Sequence, residues 1–142
     1  PPPEIQGEDE PWADVDLTNR ILYAFKGRRL VRVFLISAAN ETPVGMHRIY
    51  WKQDHAVFDR QQQRNAYYLE AVPFVMYFRD AYALHGAYWH DDFGSGETHG
   101  CVNLAPADAR WLFSFLAPAL PAGYASIRAD AISPGSWIRL RR

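Results

Sequence analysis

Short apolar runs separated by turn residues dominate this chain, and they are typical of β-strands. The first three runs are rich in Val, Ile, Leu, Tyr and Phe, and turn signals at Thr18-Asn19 and Lys26-Gly27 separate them. The polar stretch 55–65 gives no clear prediction. Strands are predicted at 12–17, 21–25, 30–37, 46–52, 67–71, 73–78, 81–85, 124–129 and 136–141.

One segment, residues 105–117, has the pattern of a helix. Pro106 lies in its first turn, Leu112 and Leu116 recur at helical spacing, and Pro118 ends it. Many short strands with one principal helix indicate a mainly β fold, a sandwich or a barrel. With 142 residues the chain is expected to form one domain.

The proline-rich, acidic residues 1–11 are predicted to be a linker or tail, so the domain is expected to span 12–142. The chain begins without methionine, which suggests a mature form or an excised domain whose targeting segment is not shown. The net charge of -1 argues against nucleic-acid binding. The longest apolar runs, such as Ala71–Phe78, are far shorter than the roughly 20 residues of a membrane span.

The stretch from His85 to Asn103 concentrates the reactive side chains. It contains three of the five histidines, the only cysteine and four of the nine glycines. These residues are His85, His90, His99, Cys101, Gly86, Gly94, Gly96 and Gly100. Ionisable groups, a thiol and flexible backbone in one stretch favour a functional role over packing.

A cysteine–histidine pair is the first chemistry that this stretch predicts. All five histidines precede Cys101, which excludes the papain-type order, in which the histidine follows. His85 ends a predicted strand, so its side chain could face the thiol if the segments flanking the glycine-rich excursion are neighbouring strands. His99 is two residues from the thiol and is the second candidate for the base.

Backbone groups around the pair complete the expected site. The carbonyl of Gly86 could approach the other imidazole nitrogen of His85 and set its tautomer. The consecutive N–H groups of His99, Gly100 and Cys101 could stabilise a developing oxyanion. A zinc site built from His85, His90, His99 and Cys101, with Asp91 or Asp92, is an alternative, but its irregular spacing matches no zinc motif.

Thr98-His99-Gly100-Cys101-Val102-Asn103, preceded by His85-Gly86, resembles the signature of the L,D-transpeptidase catalytic domain. The opening strands and the Thr-Pro-x-Gly turn in TPVGMHRI are similar to that family too, so the resemblance covers about residues 12–141. It implies a wall enzyme, periplasmic or extracellular, that cleaves a peptidoglycan tetrapeptide after its third, diaminopimelate-type residue. A thioester forms and an amine of a second stem resolves it.

The resemblance also assigns roles to residues of this sequence. Cys101 is the nucleophile, His85 the general base and Gly86 the carbonyl that orients it, while the amides of His99, Gly100 and Cys101 form the oxyanion hole. Substrate contacts are expected at Tyr68, Thr98, Asn103 and His90, although for Asn103 and Thr98 support of the local backbone is the favoured role.

The same resemblance implies partners and leaves alternatives. No cofactor is expected, and carbapenem-type β-lactams are expected to acylate the thiol. Carboxypeptidase-like hydrolysis and attachment of a protein to the wall remain open, because they differ only in the nucleophile that resolves the thioester. A non-catalytic wall-binding module is the remaining alternative, although such a module has no use for an intact Cys101 and His85.

Overall fold

The computed structural model describes residues 1–39, 41–59, 68–88 and 101–142, and at 57–59 and 68–71 it describes only the backbone. Two five-stranded sheets and one helix, α1 (Pro106–Phe115), form the described part of the chain. Sheet A contains, in spatial order, β3 (Arg29–Leu35), β2 (Ile21–Lys26), β1 (Pro11–Asp16), β10 (Trp137–Arg141) and β4 (Gly45–Arg48). Sheet B contains β8 (Val102–Leu104), β7 (Tyr82–Gly86), β6 (Tyr68–Arg79), β5 (Trp51–Asp59) and β9 (Ser126–Arg128).

The core lies between the two sheets and α1. Its buried apolar residues come from strands of both sheets, and α1 adds Ala109, Leu112 and Phe113. Most neighbouring strands are antiparallel, but β1 pairs with β10 and β7 with β8 in parallel. Ser37 and Asn103 join the two sheets by two backbone hydrogen bonds of 3.0 and 2.9 Å. The prediction of a mainly β fold with one principal helix is confirmed.

One predicted strand, 46–52, is divided between the sheets. The Ile49 N–H donates to Ser136 beside sheet A, and the next N–H, of Tyr50, donates to Tyr77 in sheet B. The chain therefore crosses from one sheet to the other at these two residues, and β4 and β5 are separate strands. Gly135 permits this crossing, because a Cβ there would lie 1.6 Å from the Ile49 carbonyl oxygen.

One other strand prediction differs from the structure, and two stretches of strand were not predicted at all. The predicted strands 67–71 and 73–78 are one strand, β6, which continues through Pro73. The segment 55–65 gave no prediction, yet its first residues extend β5 to Asp59 by pairing with β6. Strand β8 was not predicted, since three residues carry no readable alternation, and its pairing with β7 defines it.

Part of the segment 1–10 is buried, and its end contacts the turn between β2 and β3 of sheet A. Pro2 and Ile5 are buried, and the N–H of Gly27 donates to the Glu10 carbonyl at 2.9 Å. A Cβ at Gly27 would lie 2.2 Å from the Glu8 carbonyl oxygen, so the glycine permits this close approach. The boundary at residue 12 stays a prediction, but the segment before it contacts the sheet.

Candidate active site

Two neighbouring rows of residues cross sheet B and point to its opposite faces. The first, which we call the thiol row, is Cys101, Ala83, Tyr77, Trp51 and Arg128. The second, the core row, is Val102, Leu84, Met76, Lys52 and Ile127. Direct strand pairs connect the members of each row, and Cys101 extends the first row because it immediately precedes Val102, the partner of Leu84.

The face that carries the thiol row, the thiol face, has its own buried cluster. Cys101, Ala83, Tyr77 and Val75 pack together there, and Trp51 packs against them. Cys101 is 8% exposed, and its Sγ lies 3.7 Å from the Ala81 carbonyl oxygen, to which the thiol donates a weak hydrogen bond. The neighbour of Cys101 in this row is Ala83, whose side chain is much smaller than the rings of Tyr77 and Trp51 further along the row. The thiol therefore has little side-chain bulk beside it.

His85 lies on the same face, two residues after Ala83 in β7 and opposite Asn103 in the parallel pairing with β8. The imidazole is only 2% exposed, and its Nδ1 lies 2.9 Å from the Gly86 carbonyl oxygen. A carbonyl can only accept, so Nδ1 carries the proton and Nε2 is the basic nitrogen of the neutral ring. The structure thus contains the predicted contact between His85 and the Gly86 carbonyl.

Close packing is a second reason for glycine at position 86, and the sequence did not reveal it. A Cβ there would lie 2.9 Å from Pro73 Cγ, 3.3 Å from Ala109 Cβ and 3.4 Å from Pro106 Cα. The first turn of α1 therefore packs directly on the end of β7, and a side chain at this position would push the helix away. Packing of α1 and the orientation of His85 depend on the same residue.

The other end of α1 is held by Lys52, which the sequence did not single out. Its side chain is fully buried, and Nζ donates to the carbonyls of Phe113 and Leu116. No basic residue lies in the last turn of α1 itself, so Lys52 supplies the positive charge that the carbonyl end of a helix favours. Burial lowers the pKa of Lys52 to about 8.

The structure brings only some of the predicted site residues together. Cys101, His85, Gly86 and Asn103 meet at the junction of β7 and β8. Tyr68 begins β6, where its backbone pairs with Asp59, and its side chain is not described. Four predicted residues lie outside the described part of the chain: His90, Thr98, His99 and Gly100.

The zinc alternative depends largely on residues outside the described ranges, namely His90, Asp91, Asp92 and His99. Within residues 1–39, 41–59, 68–88 and 101–142, no group of three or more His, Cys, Asp or Glu side chains could hold a metal ion. In the same ranges, no helix has the length and apolar character needed to cross a membrane.

Similarity to solved structures supports the fold. An L,D-transpeptidase from Mycobacterium smegmatis matches 94% of this chain and 59% of its own, with a TM-score of 0.73 at 20% identity. The L,D-transpeptidase 3 of Mycobacterium tuberculosis, solved with a faropenem-derived adduct, matches 93% of this chain and 60% of its own, with a TM-score of 0.71 at 15% identity. A mutant L,D-transpeptidase of Enterococcus faecium matches 93% and 50%, with a TM-score of 0.72 at 17% identity.

The chain thus spans between half and three fifths of the length of these solved relatives. No curated protein matches it by sequence. A family model described as the L,D-transpeptidase catalytic domain, YkuD, matches residues 10–126, which is most of the chain. This match agrees with the signature around Cys101 and with the two-sheet fold, and the chain therefore belongs to the L,D-transpeptidase catalytic domain family.

Proposed function

We propose that this domain is a cysteine-dependent L,D-transpeptidase that acts on peptidoglycan stem peptides through a thioester. The observation that carries the proposal is the hydrogen bond of 2.9 Å between His85 Nδ1 and the Gly86 carbonyl, on the same face of sheet B as the Cys101 thiol. That bond leaves Nε2 as the proton acceptor, which is the nitrogen a general base needs.

The first half of the reaction forms the thioester. The thiol turns away from the Ala81 carbonyl and passes its proton to Nε2 of His85. The thiolate attacks the carbonyl carbon of the third stem residue, and the amides of His99, Gly100 and Cys101 stabilise the oxyanion. One such donor contributes about 3–4 kcal/mol to the transition state. The imidazolium then protonates the departing amine, and the terminal D-residue leaves.

The second half transfers the acyl group. An amine of a second stem loses its proton to the neutral His85 and attacks the thioester, and the thiolate leaves and is reprotonated. Water at the same position would give carboxypeptidase-like hydrolysis, and an amine of a wall protein would give anchoring. Since the same pair serves all three outcomes, cross-linking is our primary proposal and the other two are variants of it.

Two wider expectations accompany this proposal. The domain acts in the periplasm or outside the cell, where peptidoglycan is assembled. Carbapenem-type β-lactams acylate Cys101, because their strained ring presents an acyl carbon to the same nucleophile and oxyanion donors. The faropenem-derived adduct in the Mycobacterium tuberculosis relative supports covalent inhibition of this kind.

The test is incubation of the purified chain with a disaccharide tetrapeptide, followed by mass analysis of the products. We expect loss of the terminal D-residue and formation of a cross-linked dimer. Cys101→Ala is the control, and it should remain folded by circular dichroism but produce neither product. Turnover by the folded alanine variant would refute the assignment of the nucleophile, and hydrolysis without dimer would replace cross-linking with the hydrolytic variant.

A further inference from the structure

The thiol row extends well beyond the cysteine and ends at a positively charged side chain. Tyr77 pairs with Ala83, Trp51 with Tyr77, and Arg128 with Trp51. Strands of a sheet are about 4.8 Å apart, so β5, which carries Trp51, lies roughly 14 Å from β8. The row therefore forms a continuous line of side chains on one face, from a buried thiol to an exposed arginine.

Aromatic stacking fixes the outer part of this row. The rings of Tyr77 and Trp51 are stacked, with centroids 4.8 Å apart and an interplanar angle of 17°. The Tyr77 hydroxyl donates to Gln53 Oε1 at 3.1 Å, and the guanidinium of Arg128 lies 4.3 Å from the centre of the Trp51 ring. These contacts hold the arginine head group over β5 rather than leaving it to move in solvent.

Other arginines that lie over aromatic rings provide a comparison for Arg128. Arg48 lies 4.4 Å from the centre of the Trp137 ring, but it also donates to the Gly135 carbonyl. Arg139 lies over Trp12 and forms an ion pair with Asp14. Among the described residues, Arg128 has neither a hydrogen bond nor an ion pair from its guanidinium. Arg32, which lies 5.2 Å from the centres of the Phe34 and Trp111 rings, also lacks both within the described ranges. Arg128 therefore differs from Arg32 by its place at the end of the row that begins at Cys101.

We propose that Arg128 binds a carboxylate of the stem peptide and is a specificity-determining residue on the thiol face. This inference rests on the proposed function. An arginine fork is suited to a carboxylate, which it binds through two parallel hydrogen bonds. Each stem peptide ends in a carboxylate, and a diaminopimelate-type residue carries another.

The distance fits the length of a stem. An extended peptide advances about 3.3–3.6 Å per residue, so roughly 14 Å corresponds to about four residues. In a donor tetrapeptide the terminal carboxylate is only one residue beyond the reacting carbonyl, and the diaminopimelate-type carboxylate belongs to the reacting residue, so both are too near. The acceptor reacts through an amine at the end of a side chain, so its terminal carboxylate lies further from Cys101 and is the better fit to Arg128. We therefore expect the carboxylate to come from the acceptor stem, and the experiment can separate the two stems because acylation involves only the donor.

The test compares wild type with Arg128→Gln and, as a matched control, Arg48→Gln, which removes the equivalent arginine from a tryptophan in sheet A. Each protein receives synthetic donor and acceptor stems with free or amidated remote carboxylates. We expect Arg128→Gln to raise KM for the free acceptor stem roughly ten-fold or more, with little change in kcat. Amidation should raise KM in wild type and have no further effect in the variant. Arg128→Lys should be intermediate, and Arg48→Gln should resemble wild type.

We expect the effect of Arg128→Gln on dimer formation and not on donor acylation, and an effect on acylation would contradict binding of the acceptor carboxylate. Equal KM values for Arg128→Gln and Arg48→Gln, or an equal penalty of amidation in wild type and variant, would overturn the inference. The rate of acylation by a carbapenem should not change in Arg128→Gln, since the drug is too short to reach β5. A wild type that neither cleaves a stem nor reacts with a carbapenem would instead contradict the proposed function itself.

Discussion

On every strand of sheet B, the thiol row and the core row are formed by residues that are adjacent in sequence and point to opposite faces. The two faces have different surroundings. In the core row, Val102, Leu84, Met76 and Lys52 are all fully buried, and the one charged group among them donates to the end of α1. In the thiol row, exposure increases from Cys101 and Ala83 to Arg128. The same strands thus contribute to the packed core on one face and carry the candidate reactive residues on the other.

This difference shows how the fold can keep the candidate site rigid. α1 packs against Gly86 at its first turn and against Lys52 at its last, so the helix contacts sheet B near His85 and again at β5. The side chains that pack against α1 lie on the core face, and those proposed to react lie on the thiol face. Substitutions on the two faces should therefore separate stability from rate.

The largest effect is expected from His85→Ala on the thiol face. Loss of proton transfer from Cys101 and to the leaving amine should slow acyl-enzyme formation roughly 10²–10⁴-fold. The melting temperature should change little by comparison. Rates of acyl-enzyme formation measured across the pH range by intact mass would check this, and a rate close to wild type would remove His85 from the mechanism.

His99→Ala sharpens the same comparison. The proposed contribution of His99 is a backbone N–H, which alanine retains, so its loss should be smaller than that of His85→Ala. His90→Ala should act mainly on substrate affinity. A deeper defect in His99→Ala than in His85→Ala would mean that the base lies beside the thiol in sequence rather than on β7.

Gly86→Ala should affect both faces. The added Cβ meets Pro73, Ala109 and Pro106, and overpacking of this kind typically costs about 1–3 kcal/mol in the free energy of unfolding. The carbonyl that accepts from His85 remains, so the rate should fall less than in His85→Ala. Urea unfolding and acylation rates of the same preparation would test this, and unchanged stability would contradict the packing of α1 on Gly86.

Lys52→Met should affect stability alone. It leaves the carbonyls of Phe113 and Leu116 without their donor, at an expected cost of about 2 kcal/mol in the free energy of unfolding. The rate of acylation at Cys101 should stay close to that of wild type. A large loss of rate without loss of stability would show that the two faces are not separable.

The pH dependence of stability tests the charge state of Lys52. Its pKa is about 8 in the folded protein, against 10.5 without burial, so the unfolded chain binds more protons between these values. The contribution of this group to stability therefore rises with pH from about 8 to 10.5. Unfolding measured in that range should show this rise in wild type and lack it in Lys52→Met. A parallel pH dependence in both proteins would contradict the shift.

The smallest effect is expected from chelators, which should not change the rate of acylation, because the proposed chemistry uses a thiol, an imidazole and backbone amides. Activity measured before and after exhaustive treatment with a chelator would test this. A loss that zinc restores would favour the metal alternative.

The sequence predicted the fold class and the contact between His85 and Gly86, because both leave local signals. Alternating runs and turn residues indicate strands, and His85-Gly86 with the segment around Cys101 forms a compact motif. The crossing at Ile49 and Tyr50 left no such signal, since an alternating pattern continues through it.

Pairing between strands that are distant in sequence could not be predicted either, because it also leaves no local signal. Lys52 stands among polar residues in the sequence, and only its pairing with Met76 turns it toward α1. The stack of Tyr77, Trp51 and Arg128 depends on the register of three strands that are far apart along the chain. Register is set by the whole sheet rather than by any one segment.

The most direct test of the central claim is the intact mass of the protein after incubation with a carbapenem, followed by peptide mapping. The account predicts one adduct for each chain, located on Cys101, and none on folded Cys101→Ala. An unmodified wild type after prolonged incubation, or an adduct on another residue, would contradict the proposal that Cys101 is the acyl-accepting nucleophile.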